Sequence, residues 1–306
     1  MIWAGIVRLW ILRVEGLRFQ HDTEVEEVRY RSTAGVCFGF VGRSVVDCVA
    51  RELPPAPGGG RPRTVNLREI VNAIFDRLRA GCSWERVPHD DPPKSTVFED
   101  FVRWRNDGTG ERLHDAGRLA VRKQAGREPT ASAAIVDRQP AKTTETRDER
   151  GDDAGKKVNG RQRQILVETL GLLVAVAVTA ASVQDRDGAK RVFEDARGET
   201  RLEKIWADGG DAGKLVESTR QEFGWDLEIV KHSEDVKGFQ VLPHRGIVER
   251  TFGWPGRYRL LCREHEATLA SSRTDIHLCL TRIMLRRLTR TQQARHQNEH
   301  LLAHIA

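Results

Sequence analysis

The chain has 306 residues, enough for one large domain or two ordinary ones. Its 50 Lys and Arg against 44 Asp and Glu leave a net charge of +6, which is compatible with nucleic acid as a partner but excludes the lopsided basicity of a ribosomal or histone-like protein. The five cysteines, Cys37, Cys48, Cys82, Cys262 and Cys279, are odd in number and nowhere spaced C-x-x-C, which argues against a disulfide scaffold or zinc ribbon and predicts a cytoplasmic location.

Residues 1–52 have no clear period and stay unassigned. Met1 to Phe19 is apolar, but Arg8, Arg13, Glu15 and Arg18 interrupt it and no small-residue cleavage site follows, so it does not read as a signal peptide. A Pro- and Gly-rich linker runs from Pro54 to Arg63. Its Gly-Arg-Pro-Arg end, with Arg61 and Arg63, has the composition of a basic arm for a DNA minor groove, or of a solvated linker.

Three helices are predicted next. In the first, Ile70, Ile74 and Leu78 share one face and Gly81 suits the stop. In the second, Thr96 and Glu99 have capping-box spacing and Val97, Phe101 and Trp104 form a stripe ending near Gly108. The third runs from about Glu111 to Gly126. With Arg103, Arg105, Arg112, Arg118 and Arg122, the three read either as a helix-turn-helix-like DNA-binding unit or as a bundle with a solvated basic face.

Beyond Ala131 strands and helices alternate. A short apolar strand, Ala133 to Val136, ends at Asp137, and the polar stretch 142–163 reads as a long turn. Strands are predicted at 164–170, 172–179, 202–207 and 226–231, and helices at 187–197, 212–223, 244–262 and 275–291. Ile165 to Val183 has the length of a membrane span, but Glu168 interrupts it and Gly171 divides it, so two buried strands are expected and no membrane. In the tail, His296, His300 and His304 recur every four residues, a spacing that can bind metal or arise incidentally. The order predicts a mixed α/β sheet with flanking helices, as in the ribonuclease H-like fold.

Asp137 and Asp208 each end a predicted strand, where sites form in open α/β sheets, and Glu249 lies on a predicted helix. Three carboxylates brought together repel, and a divalent cation with a preference for oxygen removes that conflict. Such a constellation suits phosphoryl transfer. Taken singly, an Asp after a strand more often caps a turn and a helical Glu more often faces water.

The surrounding words narrow the reading. Gly60 to Ile74, Arg79-Ala80-Gly81-Cys82-Ser83-Trp84 and Pro88-His89-Asp90 resemble the N-terminal region of bacterial insertion-sequence DDE transposases of the IS-five type. Ala134-Ile135-Val136-Asp137 with Lys142-Thr143-Thr144-Glu145 resembles the segment of that family's first catalytic Asp, and Ile205-Trp206-Ala207-Asp208-Gly209-Gly210 that of its second. Val248-Glu249-Arg250-Thr251-Phe252 resembles the Glu motif, with Arg245 one turn before it. The resemblance runs from about Leu53 to Leu288. It implies a ribonuclease H-like core and a helical DNA-binding region over 53–128. The catalytic domain would cover 129–291 and a tail 292–306. Asp137, Asp208 and Glu249 would hold Mg²⁺ (or Mn²⁺), and Arg61, Arg63, Lys142, Arg245 and Arg250 would contact DNA. The implied partners are double-stranded DNA with terminal inverted repeats and target DNA, engaged by a homodimer on paired ends. A nuclease of the same fold and a DNA-binding remnant are the rival readings.

Several residues depart from the family's pattern: Arg138 and Pro140 after the first Asp, Gln164 for a usual His, Asp211 for a usual Tyr and Gly246 for a usual Trp. Pro255 falls within the predicted helix 244–262. An interior proline and a missing packing side chain would weaken the helix that carries Glu249, so an impaired enzyme is expected.

Overall fold

Asn66 opens the first helix by accepting the Arg68 N–H on its side chain, and Gly81 closes it in the left-handed region at φ 70°. That helix is α1 (Leu67–Ala80) of the computed structural model, which describes residues 52–54, 63–143, 149–153, 155, 157–208, 212–230 and 245–305. All of these belong to one compact unit, Phe38–Ala306. Arg61, Gly209, Gly210 and Asp211 lie outside the described residues. Gly81 is required for space as well as for its backbone, because a Cβ there would stand 2.7 Å from that of Arg259.

The predicted stripes of the helical region hold. Ile70, Ile74 and Leu78 are fully buried, as are Val97 and Trp104 of α2 (Lys94–Asn106). The capping box does not form, since α2 starts two residues before Thr96, behind Pro93, with no side-chain cap. Gly108, at φ 75°, turns the chain into α3 (Thr109–Gln124).

Among the described residues the sheet has six strands: β1 (Ala133–Lys142), β2 (Gly151–Asp153), β3 (Val158–Glu168), β4 (Leu173–Ala180), β5 (Lys204–Asp208) and β6 (Asp226–Val230). Its order is β2-β3-β1-β5-β6, with β4 also paired to β3. β1, β3 and β4 run antiparallel, whereas β5 joins β1, and β6 joins β5, in parallel. Helices α4 (Asp185–Asp195), α5 (Ala212–Phe223), α6 (Arg245–Gly253) and α7 (Leu269–Ile305) complete the unit. This is the ribonuclease H-like mixed sheet with flanking helices that the order of elements predicts. The membrane-length run 165–183 resolves into the end of β3, a turn at Gly171 (φ 79°) and β4. Among the described residues no helix is long and apolar enough to cross a membrane.

Alternation along the strands sorts the side chains onto two faces. Ile135, Ile165, Val167 and Val176 join a core with α1, α2, α3, α6 and α7, while Ala134, Val136, Leu166, Ile205 and Ala207 join a second with α4 and α5. The 53–128 helices therefore have no separate core: they share one with α7 and one face of the sheet.

Three expectations need correction. β1 does not end at Asp137 but continues to Lys142, held by antiparallel pairing with β3 as far as Gly160. Pro140 is tolerated there because the parallel pairing with β5 stops at Val136, leaving that edge free of ladder bonds. The predicted long turn 142–163 contains β2 and the start of β3. The predicted helix 244–262 is the nine-residue α6 followed by two 3₁₀ turns, Pro255–Arg257 and Arg259–Leu261. Pro255 thus opens a turn, where a missing N–H costs little, and does not break the helix of Glu249. At Gly246, among the described residues, no atom lies within 4 Å of where a Cβ would stand. The turn at Pro255 therefore removes one of the two grounds for expecting an impaired enzyme.

Candidate active site

The parallel register of β1 and β5 pairs Ile135 with Trp206 and Val136 with Ala207. Asp137 and Asp208 each stand one residue past that last pair, on adjacent strands. Ile135 and Trp206, two residues before each, both pack in the first core, whereas Val136 and Ala207 pack in the second. Alternation therefore brings both carboxylates out on the first face, which carries α6. The Arg138 N–H donates to Asp137 Oδ1 at 2.7 Å. Asp137 is half-buried and Asp208 is exposed at the strand end.

Glu249 reaches this face on α6, which packs against β1 and β3. Val248 is buried in the first core, and Thr251 donates its hydroxyl to Gly171 O at 3.1 Å, tying the helix to the β3–β4 turn. A Cβ on Gly171 would approach Arg250 Nη2 to 3.2 Å and Thr251 Oγ1 to 3.3 Å, so this close approach also depends on a glycine. The positioning role of Thr251 and Gly171 has little signal in the sequence; the glycine between two apolar runs is its only trace. Glu249 itself is exposed. Among the described residues no group of three His, Cys, Asp or Glu side chains stands close enough to hold a metal. Asp137 and Asp208 lie at corresponding places on adjacent strands, and Glu249 stands on the helix packed against β1 and β3 without closing on them.

The candidate DNA-binding residues divide. Arg245 opens α6, its side chain outside the described part, and the Arg250 guanidinium lies 5.6 Å from the Trp254 ring centre. Lys142 is not brought to the acids: it lies five residues beyond Asp137, roughly 16 Å along the strand, and alternation turns it to the other face. Arg63 is engaged within the protein, donating from both terminal nitrogens to Asp100 at 2.8 and 3.0 Å. The expected basic face of the helical region is also largely spent internally. Arg118 bonds Glu199 at 2.6 Å, Arg122 pairs with Glu168, and Arg103 pairs with Asp100.

Two departures from the family pattern sit away from the acids. Arg138 and Gln164 are cross-strand partners on the second face. Arg138 pairs with Asp185, and Gln164 Nε2 donates to Gln162 Oε1 at 3.2 Å. Arg138 and Gln162 line a cleft of about 470 Å³ with Asp152, Asp153 and Gln184, whose lining includes neither Asp137 nor Asp208.

A mixed sheet with one aspartate on its first strand and another at the end of the parallel neighbour, and a helix bearing a glutamate packed on the same face, is the arrangement that the resemblance to DDE transposases implies. Comparison of the sequence with family models agrees. Residues 128–297 match the transposase DDE domain, and residues 47–114 match the family described as "Putative transposase of IS4/5 family". The chain belongs to the DDE transposase family. Among solved structures it is similar to the Drosophila P element transposase strand transfer complex, with 14% identity over 60% of this chain and a TM-score of 0.29. It spans 45% of that chain's length. The search of curated proteins finds no match.

Proposed function

We propose that this protein is a metal-dependent DNA transposase that cuts at insertion-sequence ends and joins them to target DNA. The observation that carries the reading is the placing of Asp137 and Asp208, each one residue past the last β1–β5 pair, on the sheet face that holds the helix of Glu249. The family membership supports it.

The donor set fits Mg²⁺ or Mn²⁺, being all carboxylate oxygen with no thiol or imidazole. Asp137, Asp208 and Glu249 would hold the ions, with α6 supplying the third ligand. When bound, a divalent cation gives counter-charge to the attacking and leaving oxygens of a phosphodiester. The chain's own residues do the rest. The Arg138 N–H fixes one oxygen of Asp137. The bond from Thr251 to Gly171 O sets the height of α6 over the sheet. Arg250, and Arg245 one turn before Glu249, are the candidates to neutralise phosphate beside the acids. The substrate would be duplex DNA with terminal inverted repeats, engaged by a homodimer on paired ends in the bacterial cytoplasm.

The test is nicking of a supercoiled plasmid carrying the element's ends, followed by joining of a pre-cut end to a second DNA. Asp137→Asn, Asp208→Asn and Glu249→Gln should each abolish both reactions in Mg²⁺ and Mn²⁺, with DNA affinity changed less than about twofold, because a metal-ligand charge is removed at almost constant volume. A variant that keeps wild-type cleavage removes that residue from the site. Nicking without joining makes the protein a nuclease of the same fold, and DNA binding with neither reaction makes it a binding remnant.

A further inference from the structure

Five arginines of α1, α6 and α7 make no ion pair with a carboxylate among the described residues: Arg79, Arg250, Arg286, Arg287 and Arg290. They are neighbours. Arg286 stands within electrostatic reach of Arg79, Arg282 and Arg290, and Arg287 within reach of Arg250. Arg287 lies 4.2 Å and Arg250 5.6 Å from the centre of the same ring, Trp254, so two guanidinium groups share one indole just past α6. Arg79, Arg250, Arg286 and Arg290 are exposed, and Arg287 is half-buried.

The acids nearby are already engaged. Glu168, the carboxylate that acts on Arg287, is bonded by Arg122 and accepts the Leu172 N–H at 3.3 Å. Asp76, which Arg79 feels, is approached by Arg282 to 3.8 Å. Burial first, then neighbouring positive charge, pushes the guanidinium pKa of Arg286 and Arg287 down from the ordinary arginine value. A cluster of like charges held on rigid helices without internal counter-charge is stabilised by an anion from outside. Planar guanidinium groups match phosphate oxygens in particular. From Arg286 to Arg290 the helix advances about 6 Å, over which one DNA strand carries about two phosphates at 3.4 Å each.

We propose that the surface of α7 at Arg286, Arg287 and Arg290, continued by Arg79 of α1 and Arg250 of α6, is a phosphate-binding track for duplex DNA that leads onto the helix carrying Glu249. The track rests on the reading of the protein as a DNA-cutting enzyme. Four of its five arginines are exposed, and all lie on helices whose other faces build the first core, so those four can meet a duplex without any rearrangement of the fold.

The test uses the full chain and two triple variants of equal charge. Arg286→Gln/Arg287→Gln/Arg290→Gln removes the track. Arg191→Gln/Arg197→Gln/Arg220→Gln removes three exposed arginines on α4, the turn after it, and α5, against the other face of the sheet. Fluorescence anisotropy with an element-end duplex, repeated across salt concentrations, reads affinity and salt slope. The track variant should bind at least about tenfold more weakly at low salt, and its slope should fall by about 0.9 for each phosphate that is no longer neutralised. The control triple should match wild type. If Arg287→Gln disturbs folding, Arg286→Gln/Arg290→Gln, both at exposed positions, carries the same expectation at smaller size. Equal weakening in the two triples would reduce the effect to net charge and overturn the track. An unchanged slope in the track variant with DNA cutting intact would overturn the track and leave the transposase reading standing. A wild-type protein that binds no DNA would remove both.

Discussion

Arg122 and Arg287 look alike in the sequence. Each sits beside an apolar residue on a helix, and the two helices, α3 and α7, pack on each other on the same side of the sheet. Their surroundings differ. Arg122 is 6% exposed, pairs with Glu168, and donates to the carbonyls of Glu128 at 2.6 Å and Thr130 at 3.0 Å. Arg287 has an indole face and a second arginine, and no ion-paired carboxylate among the described residues. The first arginine joins the helical region to the sheet, whereas the second is bound into no such internal pair among the described residues. Positive charge along a helix does not locate a DNA-binding face; the carboxylates within reach do. The helical region shows this at scale, because Arg63, Arg77, Arg103, Arg118 and Arg122 all have acid partners inside the fold.

The contrast breaks most visibly at Arg122. Arg122→Ala leaves the fully buried Glu168 without its cation, and removing one partner of a buried pair costs about 3–5 kcal/mol. Denaturant unfolding should detect that loss, while Arg286→Gln/Arg290→Gln should stay within about 0.5 kcal/mol of wild type. A stability loss of the same size in both would erase the distinction between joining and free arginines.

Arg63 gives the next largest effect. Arg63→Ala leaves the buried Asp100 with Arg103 as its remaining partner and should cost about 1–3 kcal/mol, without altering the salt dependence of DNA binding. A slope that flattens while stability is unchanged would return Arg63 to the DNA-contacting arm and remove it from the fold.

The smallest effect sharpens the comparison within the same α3–α7 seam, where one buried ionisable group is held neutral. His277 stacks on His114 at 5.2 Å, and burial, then His114, then Arg273 hold its pKa well below the ordinary histidine value. The folded protein therefore refuses a proton that the unfolded chain accepts. The contribution is present above about pH 6.5 and is lost as pH falls below it, at up to about 1.4 kcal/mol per pH unit. Replacing His277 with Gln should shrink the fall in melting temperature between pH 7.5 and 5.5. Equal acid sensitivity in the two proteins would show that this histidine titrates freely in the fold.

Much of the architecture was legible because it depends on local pattern. Ile70, Ile74 and Leu78 recur at helical spacing, and one face of a helix is buried whatever lies against it. The apolar runs either side of Gly171 are β3 and β4, since β-branched residues and a glycine in the left-handed region suffice to mark a hairpin. Asp137 and Asp208 were likewise visible as acids beside apolar strands, and the resemblance to a known family named Glu249.

Other features depended on partners distant in sequence. The strand past Asp137 has little intrinsic preference for extension, and Arg138 to Lys142 are kept extended by pairing with Arg161–Gln164 and Gly160 of β3. Pro255 looked like a helix breaker because an apolar periodicity does not say where a helix stops; in the structure the chain has already left α6 two residues earlier. The pairing of charges was the least legible of all. Arg122 meets Glu168 across 46 residues and Arg77 meets Asp275 across 198. The sequence by itself determined the buried stripes of α1 and α2 and the two strands either side of Gly171, because those follow from the order of apolar and polar side chains over a few turns. Only the tertiary structure decided which arginines are neutralised by carboxylates within the fold, because a charge is settled by the atoms around it in space, whatever their distance along the chain.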